Sequence, residues 1–160
     1  MSTAATAETQ KGATLRVELR RVIRASRQRV FEAWTKPEEI RKWFGPGAIR
    51  VAEIEMDASP GGSFRWIFQG SIDGKPEDSE RRTSVEGVYT EVIPNELVSF
   101  TWRPAWSPGE ESHATVRLRD VDGGTEIVLT HERFATVDSR NGHERGWTNI
   151  LEKLENYLAT

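Results

Sequence analysis

Residues 146–158 read GWTNILEKLENYL, and the apolar positions in this stretch decide the fold that the sequence predicts. Six apolar side chains recur there at steps of three and four, namely Trp147, Ile150, Leu151, Leu154, Tyr157 and Leu158. This spacing places them in one stripe along an α-helix. Because a helix of this length is marginal by itself, the stripe must pack against another part of the chain.

The chain upstream of this helix mostly shows the alternating apolar and polar positions of β-strands. In the first strand the alternation slips at Arg20 and Arg21, which predicts a bulge or strand end there. Turn residues separate the later strands, as in a meander of antiparallel hairpins. Strands are predicted at residues 15–23, 49–56, 64–69, 84–93, 96–103, 113–121 and 125–132. The sequence therefore predicts an α+β fold in which a sheet grips one terminal helix.

Two short helices are predicted between the first and second strands. Ser26 is a suitable N-cap for the first helix. Residues 35–38, TKPE, resemble a capping box with a proline in the first turn of the second helix. Trp43 and Phe44 end that helix. Because they are adjacent, they cannot point the same way, and we expect one of them to line a cavity or its entrance.

Aromatic side chains form two apolar walls on the predicted sheet. Alternation places Phe64, Trp66 and Phe68 on one face of their strand. The strand at 96–103 carries a second set in Val98, Phe100 and Trp102. These walls are the expected partners of the terminal helix. Trp106 lies in a loop between prolines, where an exposed tryptophan would be unusual.

Length and composition limit the classes of protein that the chain can form. Its 160 residues fit a single domain at 14–160, preceded by a disordered tail at 1–13. The net charge of −3, with 29% charged residues interspersed, predicts no binding to nucleic acid or to an anionic membrane. The sequence has no cysteine and shows neither the pattern of a signal peptide nor the run of about 18 apolar residues of a membrane span, so we expect a cytoplasmic location.

Few residues could support catalysis or metal binding. His131 and His143 are each followed by glutamate, but Ala135 and Trp147 occupy the positions where a zinc-protease motif requires its second histidine. The acidic turn at 120–124 lacks the closing glutamate of a calcium loop. No nucleophile elbow or phosphate-binding loop is present either. We therefore expect no catalytic residue, no metal site and no cofactor.

Two positions keep alternative interpretations. His131 shares a strand face with Ile127 and Leu129, so it points inward, either as a hydrogen-bonded core residue or as a polar anchor in a pocket. Gly146 within the predicted helix indicates either close packing on the sheet or space left open. Close packing is the favoured interpretation for Gly146.

Five motifs in order resemble a known family. They are FEAWTKPEEIRKWFGPG, PGGSFRW, EGVYTEVIPNELVSFTW, GGTEIVLTHERF and GWTNILEKLENYL. Over about residues 14–159 the chain resembles the START-like (SRPBCC) superfamily, and within it the family related to the C-terminal domain of the activator of heat-shock protein 90 ATPase. The resemblance implies a helix-grip fold, a curved antiparallel sheet around the C-terminal helix with a hydrophobic cavity between them.

The resemblance also implies a set of cavity-lining residues, for each of which plain core packing is the alternative. They are Trp43, Phe44, Trp66, Phe68, Trp102, His131, Trp147, Ile150 and Leu151. The first functional hypothesis is non-catalytic binding of a small hydrophobic or aromatic molecule. A second is interaction with a chaperone, although the chain lacks the N-terminal domain of the activator. A third is an enzyme of cyclase or hydrolase type that uses His131. A homodimer is left open.

Overall fold

The computed structural model describes residues 15–159, which form seven β-strands and three α-helices. The strands are β1 (Arg16–Ile23), β2 (Arg50–Met56), β3 (Ser63–Gln69), β4 (Arg82–Ile93), β5 (Leu97–Pro104), β6 (Ser112–Val121) and β7 (Gly124–Glu132). The helices are α1 (Arg27–Thr35), α2 (Pro37–Trp43) and α3 (Val137–Leu158). The predicted disordered tail, residues 1–13, lies outside the described residues.

The described strands form one antiparallel sheet in the order β1-β7-β6-β5-β4-β3-β2. Register shifts in β2 and β4 mark irregularities of the bulge type, which bend and twist a strand. One core cluster joins the inner face of the sheet to the apolar stripe of α3, which contributes Trp147, Ile150, Leu151, Leu154 and Leu158. The predicted α+β helix-grip fold is confirmed.

The terminal helix α3 begins earlier than its apolar stripe. The N-cap of α3 is Thr136, whose hydroxyl accepts a hydrogen bond from Ser139 N at 3.0 Å. The stripe does not extend through the first turns because this part of α3 borders a cavity rather than the packed core. No helix in the described part of the chain is long and apolar enough to cross a membrane.

The start of α1 follows the prediction, whereas the start of α2 does not. Ser26 caps α1 by accepting a hydrogen bond from Arg29 N at 3.1 Å. The predicted capping box is wrong, because Thr35 still belongs to α1 and its hydroxyl donates to Phe31 O at 2.8 Å. Pro37 occupies the first turn of α2 as predicted, and its N-cap, Lys36, makes no side-chain cap bond.

The bulge or strand end predicted at Arg20 and Arg21 is also wrong. The strand pairs with β7 in unbroken register through Arg20 and Arg21. Arg21 occupies an inward-facing position, and its Nη1 lies 3.6 Å from Glu155 Oε1 on α3. A long side chain can reach a carboxylate and water from such a position. The break in the apolar pattern therefore needs no change of register.

Candidate functional site

An apolar cavity of about 600 Å³ lies between the sheet and the N-terminal part of α3. Its buried walls include the rings of Phe44, Phe68, Trp102 and Trp147. Ile72 and Trp106 also line it but are 64% and 46% exposed, so the cavity opens to solvent beside these two side chains. The volume and the aromatic lining are typical of small-molecule binding sites.

Helix α3 holds the loop that forms one wall of the cavity. Asn149 Oδ1 accepts a hydrogen bond from Gly47 N at 2.5 Å. Lys153 Nζ donates to Gly45 O at 2.5 Å and also to Gly47 O. Pro46, between the two glycines, lines the cavity. These side-chain contacts hold the loop against α3.

The charged groups of the lining are exposed. Arg81 donates to Asp78 at 2.8 Å, and Arg82 donates to Glu53 at 2.6 Å. Asp138, in the first turn of α3, is exposed as well. The lining therefore combines buried apolar rings with charges that stay in water.

The nine predicted ligand-binding residues divide into two groups. Phe44, Phe68, Trp102, Trp147 and Ile150 line the cavity. Trp43, Trp66, His131 and Leu151 do not, and all four are buried behind the cavity wall. Leu151 is fully buried in the core, and the ring centroid of Trp66 lies 4.8 Å from that of Phe44. These four positions support the lining instead of contacting the cavity.

Trp43 and Phe44 point in different directions, as their adjacency requires. The indole of Trp43 packs with ring centroids 5.0 Å from Trp34 and donates from Nε1 to Ala33 O at 2.9 Å. Phe44 is the C-cap of α2 and has extended backbone angles, φ −78° and ψ 136°. The chain leaves the helix at this residue, and the Phe44 ring faces the cavity.

The two buried tryptophans of the cavity each donate their indole N–H to a histidine. Trp147 Nε1 donates to His131 Nδ1 at 2.8 Å, and Trp102 Nε1 donates to His143 Nε2 at 3.1 Å. Because an indole N–H can only donate, both of these histidine nitrogens accept. His131 therefore carries its hydrogen on Nε2 and donates to Ser112 Oγ at 2.6 Å. His143 carries its hydrogen on Nδ1 and donates to Ser139 O at 2.8 Å.

Burial favours the neutral form of both histidines. It lowers the pKa of His131 well below the usual value of 6.5, and the nearby His143 and His113 lower it further. Burial also lowers the pKa of His143, and this effect exceeds the opposing influence of the Ser139 carbonyl and the Glu110 carboxylate. A proton added to His143 Nε2 would face the Trp102 N–H, so two donors would meet.

We expect the free energy of unfolding to decrease as the pH falls from 7.5 to 5. Burial lowers the pKa values of His131 and His143 in the folded protein. Their contribution to the free energy of unfolding is therefore complete above the unfolded pKa of about 6.5. Below it the unfolded chain takes up more protons, and the contribution is lost as the pH falls toward the folded pKa values. Urea denaturation across this interval, which lies above the usual range of carboxylates, measures the change. A His143→Gln variant should show a weaker dependence, whereas stability equal or greater at pH 5 would contradict the assignment.

Gly146 lies beside open space, so the favoured prediction of close packing is wrong. A Cβ added at Gly146, or at Gly142 one turn earlier, would meet nothing within 4 Å. Both glycines line the cavity. A glycine inside a helix is less stable than alanine by about 1 kcal/mol. Here the two glycines leave a strip of helix without side chains along the cavity.

Among the cavity residues that sequence reasoning missed are Trp106, His143 and Gly142. Trp106 stacks on His143 with ring centroids 6.1 Å apart and lies 6.3 Å from Phe68. Gly142 precedes His143 on α3. The only available signal was the pair of glycines four residues apart, because neither Trp106 nor His143 shows its partners in the local sequence.

The described residues contain no group of three or more metal-ligating side chains.

A family model described as "Activator of Hsp90 ATPase homolog 1-like protein" matches residues 24–159. The chain belongs to this family. Solved structures of similar proteins agree with the activator-like fold. A protein of Nitrosomonas europaea is 26% identical, with a TM-score of 0.75, covering 92% of this chain and 96% of its own. The AHSA1 protein of Silicibacter pomeroyi is 25% identical, with a TM-score of 0.76, covering 90% and 97%.

A protein of Chromobacterium violaceum, 23% identical with a TM-score of 0.76, shares the same activator-like fold over 91% of this chain and 98% of its own. The search of curated proteins gives no match. Membership of the activator-like family therefore accounts for the helix-grip architecture.

Proposed function

We propose that this protein binds a small hydrophobic or aromatic molecule in the cavity between the sheet and α3. The observation that carries the proposal is the cavity itself, about 600 Å³ in volume and walled by buried aromatic rings. A closely packed core leaves few voids larger than a water molecule. An apolar space of this size, open to solvent at Trp106, is suited to a ligand that can enter from water.

The glycines of α3 agree with this proposal. Gly142 and Gly146 each destabilise the helix relative to alanine although an alanine side chain would fit at both positions. A requirement for space in the cavity explains both glycines. Their positions thus favour a role in binding over a role in packing.

Direct detection of ligand would test the proposal. Native mass spectrometry of the purified protein should reveal a copurified small molecule or a one-to-one complex with an added apolar ligand. Tryptophan fluorescence should change saturably on titration, because Trp102, Trp106 and Trp147 all line the cavity. A broad apolar library should be screened at about 1 mM of each compound, so that even weak binding is detected. If no compound bound saturably or raised the thermal stability, the proposal would be contradicted.

A second candidate function is interaction with heat-shock protein 90. The description of the matching family, which names the activator of the Hsp90 ATPase, favours it. Co-purification with a heat-shock protein 90 homologue followed by an ATPase assay tests this candidate. Unchanged ATPase activity at saturating protein would remove it.

The placement of His131 offers little support for an enzyme of cyclase or hydrolase type. His131 is fully buried, bonds to Trp147 and Ser112, and does not line the cavity. An acid or base must come within hydrogen-bonding reach of its substrate.

The cytoplasmic location and the homodimer stay predictions.

A further inference from the structure

The buried part of the cavity presents carbon surfaces and keeps its hydrogen-bonding groups occupied. The indole N–H groups of Trp102 and Trp147 donate to His143 and His131 and so do not face a ligand. Both nitrogens of His143 are engaged as well, by Trp102 and by Ser139 O. The lining residues that are buried are all apolar, and the polar ones are exposed or half-buried.

The shape of the cavity favours a flat ligand over a flexible one. One side is the strip of α3 at Gly142 and Gly146, where a ligand can approach the helix backbone. Other walls carry the rings of Phe44, Phe68 and Trp102. Aromatic rings gain from stacked and edge-to-face contacts beyond simple burial of area. A flat ring system can contact both the bare helix strip and the aromatic walls.

We infer that the ligand is a fused-ring aromatic compound whose inner rings carry no hydrogen-bonding group and whose polar group lies at the opening. The inference rests on the proposed function of the cavity. His143 is a positioning residue for this selectivity, because it holds the Trp102 N–H away from the ligand. A carbonyl on the inner rings loses its water and finds no free donor among the buried lining side chains, so such a ligand binds more weakly.

Three carboxylates, compared by isothermal titration calorimetry, test the inference. Anthracene-2-carboxylate and anthraquinone-2-carboxylate have nearly the same outline, but the quinone adds two carbonyl groups to the central ring. Dodecanoate is flexible and apolar. In all three the carboxylate can stay in water at the exposed part of the lining, which includes Arg81, Arg82 and Asp138. The proteins compared are the wild type, His143→Leu and His143→Gln.

The wild type should bind anthracene-2-carboxylate at least about tenfold more tightly than either of the other two compounds, since an unpaired buried acceptor weakens binding by this order. His143→Leu should reduce the preference for anthracene over anthraquinone by about tenfold, because the freed Trp102 N–H can donate to a quinone oxygen. His143→Gln keeps an acceptor in reach of the indole and should restore the preference. A purely structural role for His143 would weaken both compounds equally.

Each other outcome overturns a defined part of the inference. Equal or tighter binding of the quinone or of dodecanoate by the wild type overturns the ligand class while leaving the proposed function standing. An unchanged preference in His143→Leu, or a His143→Gln protein that behaves like it, overturns the positioning role. If none of the three compounds binds, the inference fails, whereas the proposed function is decided separately by native mass spectrometry and the broad apolar library. Should His143→Leu not fold, the wild-type comparison still decides the ligand class, and a His143→Gln protein that lost the preference would overturn the positioning role.

Discussion

Replacing Leu154 by alanine is expected to lower the free energy of unfolding by about 2–5 kcal/mol. Leu154 is fully buried in the main core cluster, in the half of α3 that lies beyond the cavity. The substitution removes buried methyl groups and leaves a void that neighbouring strands can fill only in part. Chemical denaturation followed by circular dichroism measures the loss.

A matched substitution on the same helix serves as the control for Leu154. Glu152 is exposed, so Glu152→Ala should change the free energy of unfolding by no more than about 0.5 kcal/mol. A loss of less than about 1 kcal/mol for Leu154→Ala would show that this half of α3 is not tightly packed. The helix-grip core would then have to depend mainly on other contacts.

Replacing Gly146 by leucine is expected to abolish ligand binding, with a decrease in affinity of at least about a hundredfold, while the fold persists. The new side chain starts from a Cβ with nothing within 4 Å and extends into the cavity. Leucine is also a better helix former than glycine, by about 1 kcal/mol or less. Calorimetric titration and thermal unfolding of the same samples measure the two effects.

Asn156→Leu is the control for Gly146→Leu, because Asn156 is exposed on α3 and does not line the cavity. It should alter thermal stability slightly and leave affinity within about threefold. If Gly146→Leu retained wild-type affinity, the ligand would not occupy the space beside this glycine. If Gly146→Leu failed to fold, the site would be too closely packed for a larger side chain, which would contradict the assignment of open space beside Gly146.

Gly146 separates binding from stability more cleanly than Trp147 does. Trp147 lines the cavity, but its Nε1 also donates to the fully buried His131. Truncation of Trp147 would leave that histidine without its donor and would remove core packing at the same time. A loss of binding in Trp147→Ala would therefore have two causes, whereas Gly146→Leu adds atoms only where there is space.

The local sequence predicted the elements whose pattern repeats over a few residues. The stripe at residues 146–158 predicted the last turns of α3, and alternation predicted the inward face of Phe64, Trp66 and Phe68. Ser26 was recognisable as a cap because its partner, Arg29 N, is three residues away. The five motifs in order indicated the family. These features depend on neighbours along the chain, so a sequence displays them directly.

The roles of individual residues around the cavity were decided by the tertiary structure. The partner of Trp102 is His143, 41 positions away, and that of Asn149 is Gly47, 102 positions away. Nothing local distinguishes a glycine that packs closely from one that borders open space, so Gly146 was misassigned. The sequence by itself determined a sheet closed by an amphipathic helix. Only the folded chain decided which of its aromatic rings fill the core and which surround the cavity, because that depends on contacts between distant segments.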